Sequence, residues 1–181
     1  SGRQHGITPF LLLAITVTTL GCSLPTGHNL GVINTPQEIM RAWVQEAIME
    51  RYNVRLTLSQ DLIVWSVIVS IFVGGAAIGS VMGAPLADAT GRCRAILLVN
   101  VLNLLASIMF ICCKMLGSVE MLILGRLIGG ITAGLSTSLV PLYLSEVAPT
   151  ALKGVMGVLL PFGLCAGLLA SQIMGMDTVM G

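Results

Sequence analysis

Charge is what this sequence has least of. Asp, Glu, Lys and Arg make up 9% of its 181 residues, where an ordinary globular domain carries about 25%. So few charges do not cover a water-facing surface, and 55% of the residues are apolar with a mean hydropathy of +0.95. Lipid is therefore the solvent for much of the chain. The net charge is +1 and no basic patch forms, which removes nucleic acid as a partner. Metal-ligand spacing is missing as well. The five cysteines, Cys22, Cys93, Cys112, Cys113 and Cys165, read as unpaired thiols in or beside apolar runs, and the adjacent Cys112 and Cys113 suit a disulfide poorly. No nucleophile–base couple, metal cluster or phosphate loop occurs, so the reading is not an enzyme and needs no cofactor. No N-x-[ST] acceptor occurs either. The alternation of a membrane barrel strand is also lacking, which leaves helices as the way to satisfy a backbone in lipid.

The few charges fall in clumps. None lies between Arg3 and Glu38, Asp61 and Asp88, Arg94 and Lys114, Arg126 and Glu146, or Lys153 and Asp177. Each gap supplies the roughly 20 residues that cross a bilayer core as a helix. The expectation is an all-α polytopic membrane protein with five transmembrane helices, at about 7–30, 62–86, 95–113, 121–144 and 154–174. The first run is too long for a signal core and is interrupted by Thr16, Thr18, Thr19, His28 and Asn29, so it reads as a span and not as a cleaved leader. The chain starts without Met and stops just after a span, which reads as a fragment.

The one long connection, 34–61, contains "PQEIMRAWVQEAIMERY". There Ile39, Trp43 and Ala47, and Met40, Val44 and Ile48, recur at helical spacing, predicting a short amphipathic helix at the membrane surface. Glu38 stands three residues before Arg41, a spacing that lets the two pair. Basic residues do not set the orientation: Arg3, Arg92, Arg94 and Lys153 lie on one side, and Arg41, Arg51, Arg55 and Lys114 on the other.

Small residues are plentiful where charge is not. Gly75, Gly79 and Gly83 repeat every four residues, as do Gly125, Gly129 and Ala133, with Gly130 and Gly134 beside them; Gly163 and Gly167 follow later. Such stripes let helix backbones approach closely, which supplies van der Waals packing in lipid. Two short links carry the remaining charge. "GAPLADATGRCR" compresses Asp88, Arg92 and Arg94 around Gly91, and "LSEVAPTALKG" holds Glu146 and Lys153. A charge at the edge of lipid is costly unless paired, so Asp88 is expected to meet Arg92, Arg94 or a helix N-terminus. Span parity puts both links on one side of the membrane, within reach of one another.

"GHNLGVINTPQ" (27–37), "WSVIVSIFVGGAAIGS" (65–80), "LADATGR" (86–92), "EMLILGRLIGG" (120–130), "LVPLYLSEVAPTALKG" (139–154) and "GMDTVMG" (175–181) together resemble the facilitative hexose transporters, the sugar porters of the major facilitator superfamily. The likeness runs over almost the whole chain, in order. It implies that the chain is the N-terminal transmembrane half, incomplete, of a twelve-helix protein whose C-terminal half is missing. It also implies that the N-terminus is cytoplasmic, that 34–61 is extracellular, and that the protein is integral to the plasma membrane. Its partners are then a hexose, the lipid bilayer and that missing half. The charged link is similar to the family's "G-x-x-x-D-R-x-G-R-R" loop. With the Glu146…Lys153 couplet it implies a cytoplasmic latch of Asp88, Arg92, Arg94, Glu146 and Lys153. Arg126 matches a family arginine that parity places toward the outer end of its helix, away from that network.

The resemblance further implies alternating-access uniport of glucose or fructose. A hexose needs neutral donors and acceptors beside apolar faces, and the candidates are Asn29, Thr137 and Gln172, with Leu164 and Leu168 as wall. For Thr137 a second reading stands, a backbone-bonding threonine between helices. Proton-coupled relatives carry an aspartate where Asn29 stands, and an amide has no proton to titrate in that range. Two departures count against a simple match. Pro161 occupies the position of a sugar-contacting glutamine in the family, where it offers no polar group and is expected to break the helix ladder. Ala84, Ala89 and Cys93 replace a glycine and two basic residues of the charged link. They favour the alternative, a non-transporting sugar sensor or membrane scaffold with the same fold.

Overall fold

The structure is a computed structural model that describes residues 9–34, 36–149 and 153–175. Every regular element among them is helical: α1 (Pro9–Thr18), a π-helical turn (Thr19–Ser23), α2 (Leu24–Gly31), α3 (Gln37–Tyr52), α4 (Leu58–Thr90), α5 (Arg92–Leu116), α6 (Val119–Val147) and α7 (Lys153–Met174). Four helices among the described residues are long and apolar enough to cross a membrane, in α4, α5, α6 and α7. The apolar run at 7–30 is also helical from Pro9 to Gly31, but a wide π turn divides it. Pro25, in the first turn of α2, has no N–H to give to Gly21, so the regular ladder lapses where the turn widens.

The helices overrun the apolar runs that announce them. α4 begins at Leu58, not 62, because Thr57 and Gln60 form a reciprocal cap, with the Thr57 N–H donating to Gln60 Oε1 at 3.0 Å. At 33 residues it is about 50 Å long, well beyond the roughly 30 Å hydrocarbon core. Gly91, at φ +87°, turns the chain directly from α4 into α5. Gly117, at φ +58°, does the same between α5 and α6. Pro161 does not break α7, which runs unbroken from Lys153 to Met174. It forfeits one ladder bond, and the neighbouring turns hold the helix.

α6 is the centre of the bundle and carries the most buried residues of any helix. Its glycine stripe meets that of α4 so closely that the two backbones touch. A Cβ at Gly75 would lie 2.6 Å from Leu127 O, and one at Gly130 or Gly134 would overlap the backbone of Phe72 or Ala76. α2 and α7 repeat the arrangement, Gly27 seating on Leu164 and Gly167 on Leu24. α3 lies across the ends of α4, α5 and α6 near Gly117. Its Val44 and Ala47 are buried in a cluster with Trp65, Ile68, Cys113 and Leu122. Ile39, at the head of the same apolar pattern, is exposed.

Candidate functional site

Between the first and last turns of α4, α5, α6 and α7, Arg126 is the one charged side chain among the described residues. It is 3% exposed. A cation at that depth survives only where protein groups replace its hydration. Its Nη1 donates to the Asn29 carbonyl at 3.0 Å and its guanidinium carbon lies 4.5 Å from the centre of the Phe72 ring, so a carbonyl dipole and a π face take up the charge. Its Nε is buried without a protein partner among the described residues. The Asn29 side chain in turn donates to Asn103 Oδ1 at 3.0 Å. One junction thus joins α6, α4, α2 and α5. Arg126 stands some 30 Å along α6 from Glu146, clear of the charged links.

The proposed sugar candidates do not all line one cavity. Asn29 lines a cavity of about 500 Å³ walled mainly by Ile33, Met40, Trp43, Phe110 and Leu122. Neither Thr137, Pro161, Leu164, Leu168 nor Gln172 lines it. The Asn29 amide bonds to Asn103 of α5, and the other candidates lie on α6 and α7. Thr137 is exposed and its hydroxyl donates to Gly134 O at 2.8 Å, the backbone-bonding arrangement. On α7, Pro161, Leu164, Leu168 and Gln172 share one face by helical spacing. Leu164 and Leu168 are half-buried against α2, while Pro161 and Gln172 are exposed.

At the far end of the bundle three of the five link charges meet. Arg92 Nε donates to both Glu146 oxygens at 3.1 and 3.2 Å, and its Nη1 donates to Asp88 Oδ1 at 3.0 Å and to Ala87 O at 3.3 Å. Gly91 makes this possible, since its positive φ drops Arg92 beside the last turn of α4. Arg94 is exposed and forms no ion pair among the described residues; two residues on from Arg92, it falls on the other side of the first turn of α5. The Lys153 side chain lies outside the described residues, although α7 starts there.

A second set of charges lies at the α3 end. The spacing of Glu38 and Arg41 suggested a pair within α3; instead Arg41 Nη2 binds Asp61 Oδ2 at 2.6 Å and Glu38 is exposed. Asp61 belongs to the first turn of α4 and is buried, so the buried carboxylate takes the cation that an exposed one does not need. At the other end of α3, Arg51 donates to the Ser118 hydroxyl and lies 3.7 Å from Glu120, to which the Tyr52 hydroxyl donates. The carboxylate beside it raises the Tyr52 phenol above its ordinary range. Sequence reasoning missed the junction and this tie. The asparagines Asn100 and Asn103 inside one apolar run, and Asp61 at the edge of another, were the available signals. No group of His, Cys, Asp and Glu fit to hold a metal ion occurs among the described residues.

The family model described as "Sugar (and other) transporter" matches residues 14–181. The chain is 41% identical over 175 residues to solute carrier family 2, facilitated glucose transporter member 3 of Mus musculus, covering 97% of this chain and 35% of the relative. The same protein of Homo sapiens is 39% identical over 175 residues, with the same shares covered. Member 5 of Equus caballus is 35% identical over 178 residues, covering 98% of this chain and 36% of that protein. The chain thus spans about a third of the length of the curated relatives it matches. An all-helical chain with a lipid-facing surface, its helices seated on glycine stripes, therefore belongs to the sugar transporter family, a membrane transporter family of the major facilitator superfamily and not one of enzymes.

Proposed function

We propose that this chain forms part of the N-terminal half of a hexose uniporter that carries glucose or fructose across the plasma membrane by alternating access. In this reading the N-terminus is cytoplasmic and α3 extracellular. Residues 1–181 are the N-terminal transmembrane unit, with spans at about 7–30, 62–86, 95–113, 121–144 and 154–174, and a C-terminal half completes the path. Thr137, Gln172 and the α7 face of Pro161, Leu164 and Leu168 border that path, and Asn29 stands behind it, held by Asn103. Asp88, Arg92 and Glu146, joined by Arg94 and Lys153 as the halves close, form the cytoplasmic latch.

The observation that carries uniport is the charge inventory: between the first and last turns of α4, α5, α6 and α7, a count that leaves out His28 of α2, the described residues hold no carboxylate, only an arginine tied to a carbonyl and a ring. Proton coupling needs a group that gains and loses a proton at working pH, and arginine does not. The test is a chimera of this chain with the remaining two-thirds of the mouse member 3 relative, in proteoliposomes. Saturable, stereoselective hexose uptake that ignores an imposed pH gradient is expected; accumulation driven by external acid would refute uniport. The 181-residue chain alone is expected not to transport, since most of the path lies in the other half.

Pro161 favours a second reading, a sugar sensor or scaffold, because an exposed proline offers no hydrogen bond to a sugar. Comparing the chimera with its Pro161→Gln variant separates the two. Uptake in both supports transport, and uptake only in the variant supports the sensor.

A further inference from the structure

α3 is held to the bundle by more than its apolar face. Residues 32–34 and 36 before it are turns, with Ile33 buried in the same cluster as Val44, and the connection after it, residues 53–57, is non-helical, mostly exposed and does not fix it. Two ionic contacts do. Near its start, Arg41 reaches the carboxylate of Asp61 on α4 at 2.6 Å, with the two side chains 25% and 7% exposed. At its end, Arg51 and Tyr52 bind Ser118 and Glu120 at the α5–α6 turn. Between these points Val44 and Ala47 are buried with Ile68 of α4 and Leu122 of α6.

The two contacts differ in kind. Arg51 and Glu120 are about half exposed, and exposed pairs contribute little because water and salt screen them. Asp61 is almost out of water, and a buried carboxylate left without its cation is strongly destabilising. It sits in the first turn of an apolar helix, where no other basic group among the described residues pairs with it.

We infer that α3 is a strap: its Arg41–Asp61 pair and its Arg51–Tyr52 end hold the neighbouring ends of α4 and α6 in fixed register, and α3 exchanges with water only when those ends loosen with it. The strap is a property of this chain's own bundle and stands whether or not the chain transports sugar. It sets the two ends of the bundle apart, since the carboxylate of the Arg92–Glu146 pair opposite is 44% exposed and that of the Arg41–Asp61 pair only 7%.

Hydrogen–deuterium exchange of the 181-residue chain in lipid nanodiscs tests it. In the wild-type chain, α3 amides are expected to exchange about 100-fold or more slower than an unstructured peptide, in one unit with residues 58–64. Asp61→Asn and Arg41→Gln are each expected to speed both segments about tenfold or more while α7 is unchanged. The double swap Arg41→Asp with Asp61→Arg is expected to return them to within about threefold of wild type. Single variants like wild type, or a swap as fast as the singles, would overturn the strap. Should the variants lose protection in α7 too, the wild-type measurement decides: α3 exchanging as a free peptide overturns the strap, and α3 exchanging with 58–64 supports it.

Discussion

Gly74 and Gly75 are neighbours on α4, one exposed and one buried against α6, and alanine at each should do opposite things. A Cβ at Gly75 would lie 2.6 Å from Leu127 O, 3.1 Å from Ile131 N and 3.3 Å from Gly130 Cα. All three belong to the α6 backbone, which has no rotamer to change. Restoring ordinary contact moves α6 back by about 0.7 Å, and a gap of that size forfeits a quarter to a half of each dispersion contact along the seam. Overpacking of this kind costs about 1–3 kcal/mol. Around Gly74 nothing lies within 4 Å, so Gly74→Ala keeps the seam and gains helix propensity of up to about 1 kcal/mol. The two variants should therefore differ by about 2 kcal/mol or more, roughly 30-fold in the folding equilibrium. Unfolding in mixed detergent micelles, followed by the fluorescence of the buried Trp65, reads the difference. Equal shifts of the same sign would refute the claim that backbone contact, and not glycine flexibility, sets this interface.

Arg126→Lys keeps the charge but loses the flat guanidinium over Phe72 and the reach to Asn29 O. It is expected to destabilise the chain by about 1–3 kcal/mol in the same assay, and a wild-type midpoint would show that the junction contributes nothing. Tyr52 and Tyr143 are the two tyrosines; in a Tyr143→Phe background, absorbance titration should place Tyr52 above the ordinary phenol range, because its O–H donates to Glu120 and ionisation would set two negative charges together. Glu120→Gln should return it. The sign follows for stability: the contribution is whole below the unfolded phenol's pKa and is lost as pH rises through the raised folded value.

The helices were legible because lipid forces long uncharged runs, and their ends were not, because caps such as Thr57–Gln60 extend a helix past its apolar core. Glycine stripes foretold close packing, and the structure adds which stripe meets which. Asp88 and Arg92 were legible as partners because four residues of helix bring them together. Arg41 was misassigned for a related reason: spacing names the neighbours within a helix and says nothing about a buried carboxylate twenty residues later. For the candidates Asn29, Thr137 and Gln172 the sequence names the helices but not the side-chain directions: the Asn29 amide meets Asn103 and the Thr137 hydroxyl meets its own backbone. Pro161 interrupts the ladder of α7 by one bond, as a proline must, but a helix in lipid has nowhere better to place its other amides and stays whole.

Gly91 carries a mechanical consequence. It is the entire joint between two long rods, and the residue after it is both the first link of the second rod and the cation that grips Glu146. With no slack in the joint, a tilt of α5 acts on that grip with almost no lever arm. The contact therefore tolerates a change of angle between the rods and depends instead on α6 staying beside the joint. A bulkier joint residue, strained at that φ, would shift Arg92 off Glu146 before it loosened either rod.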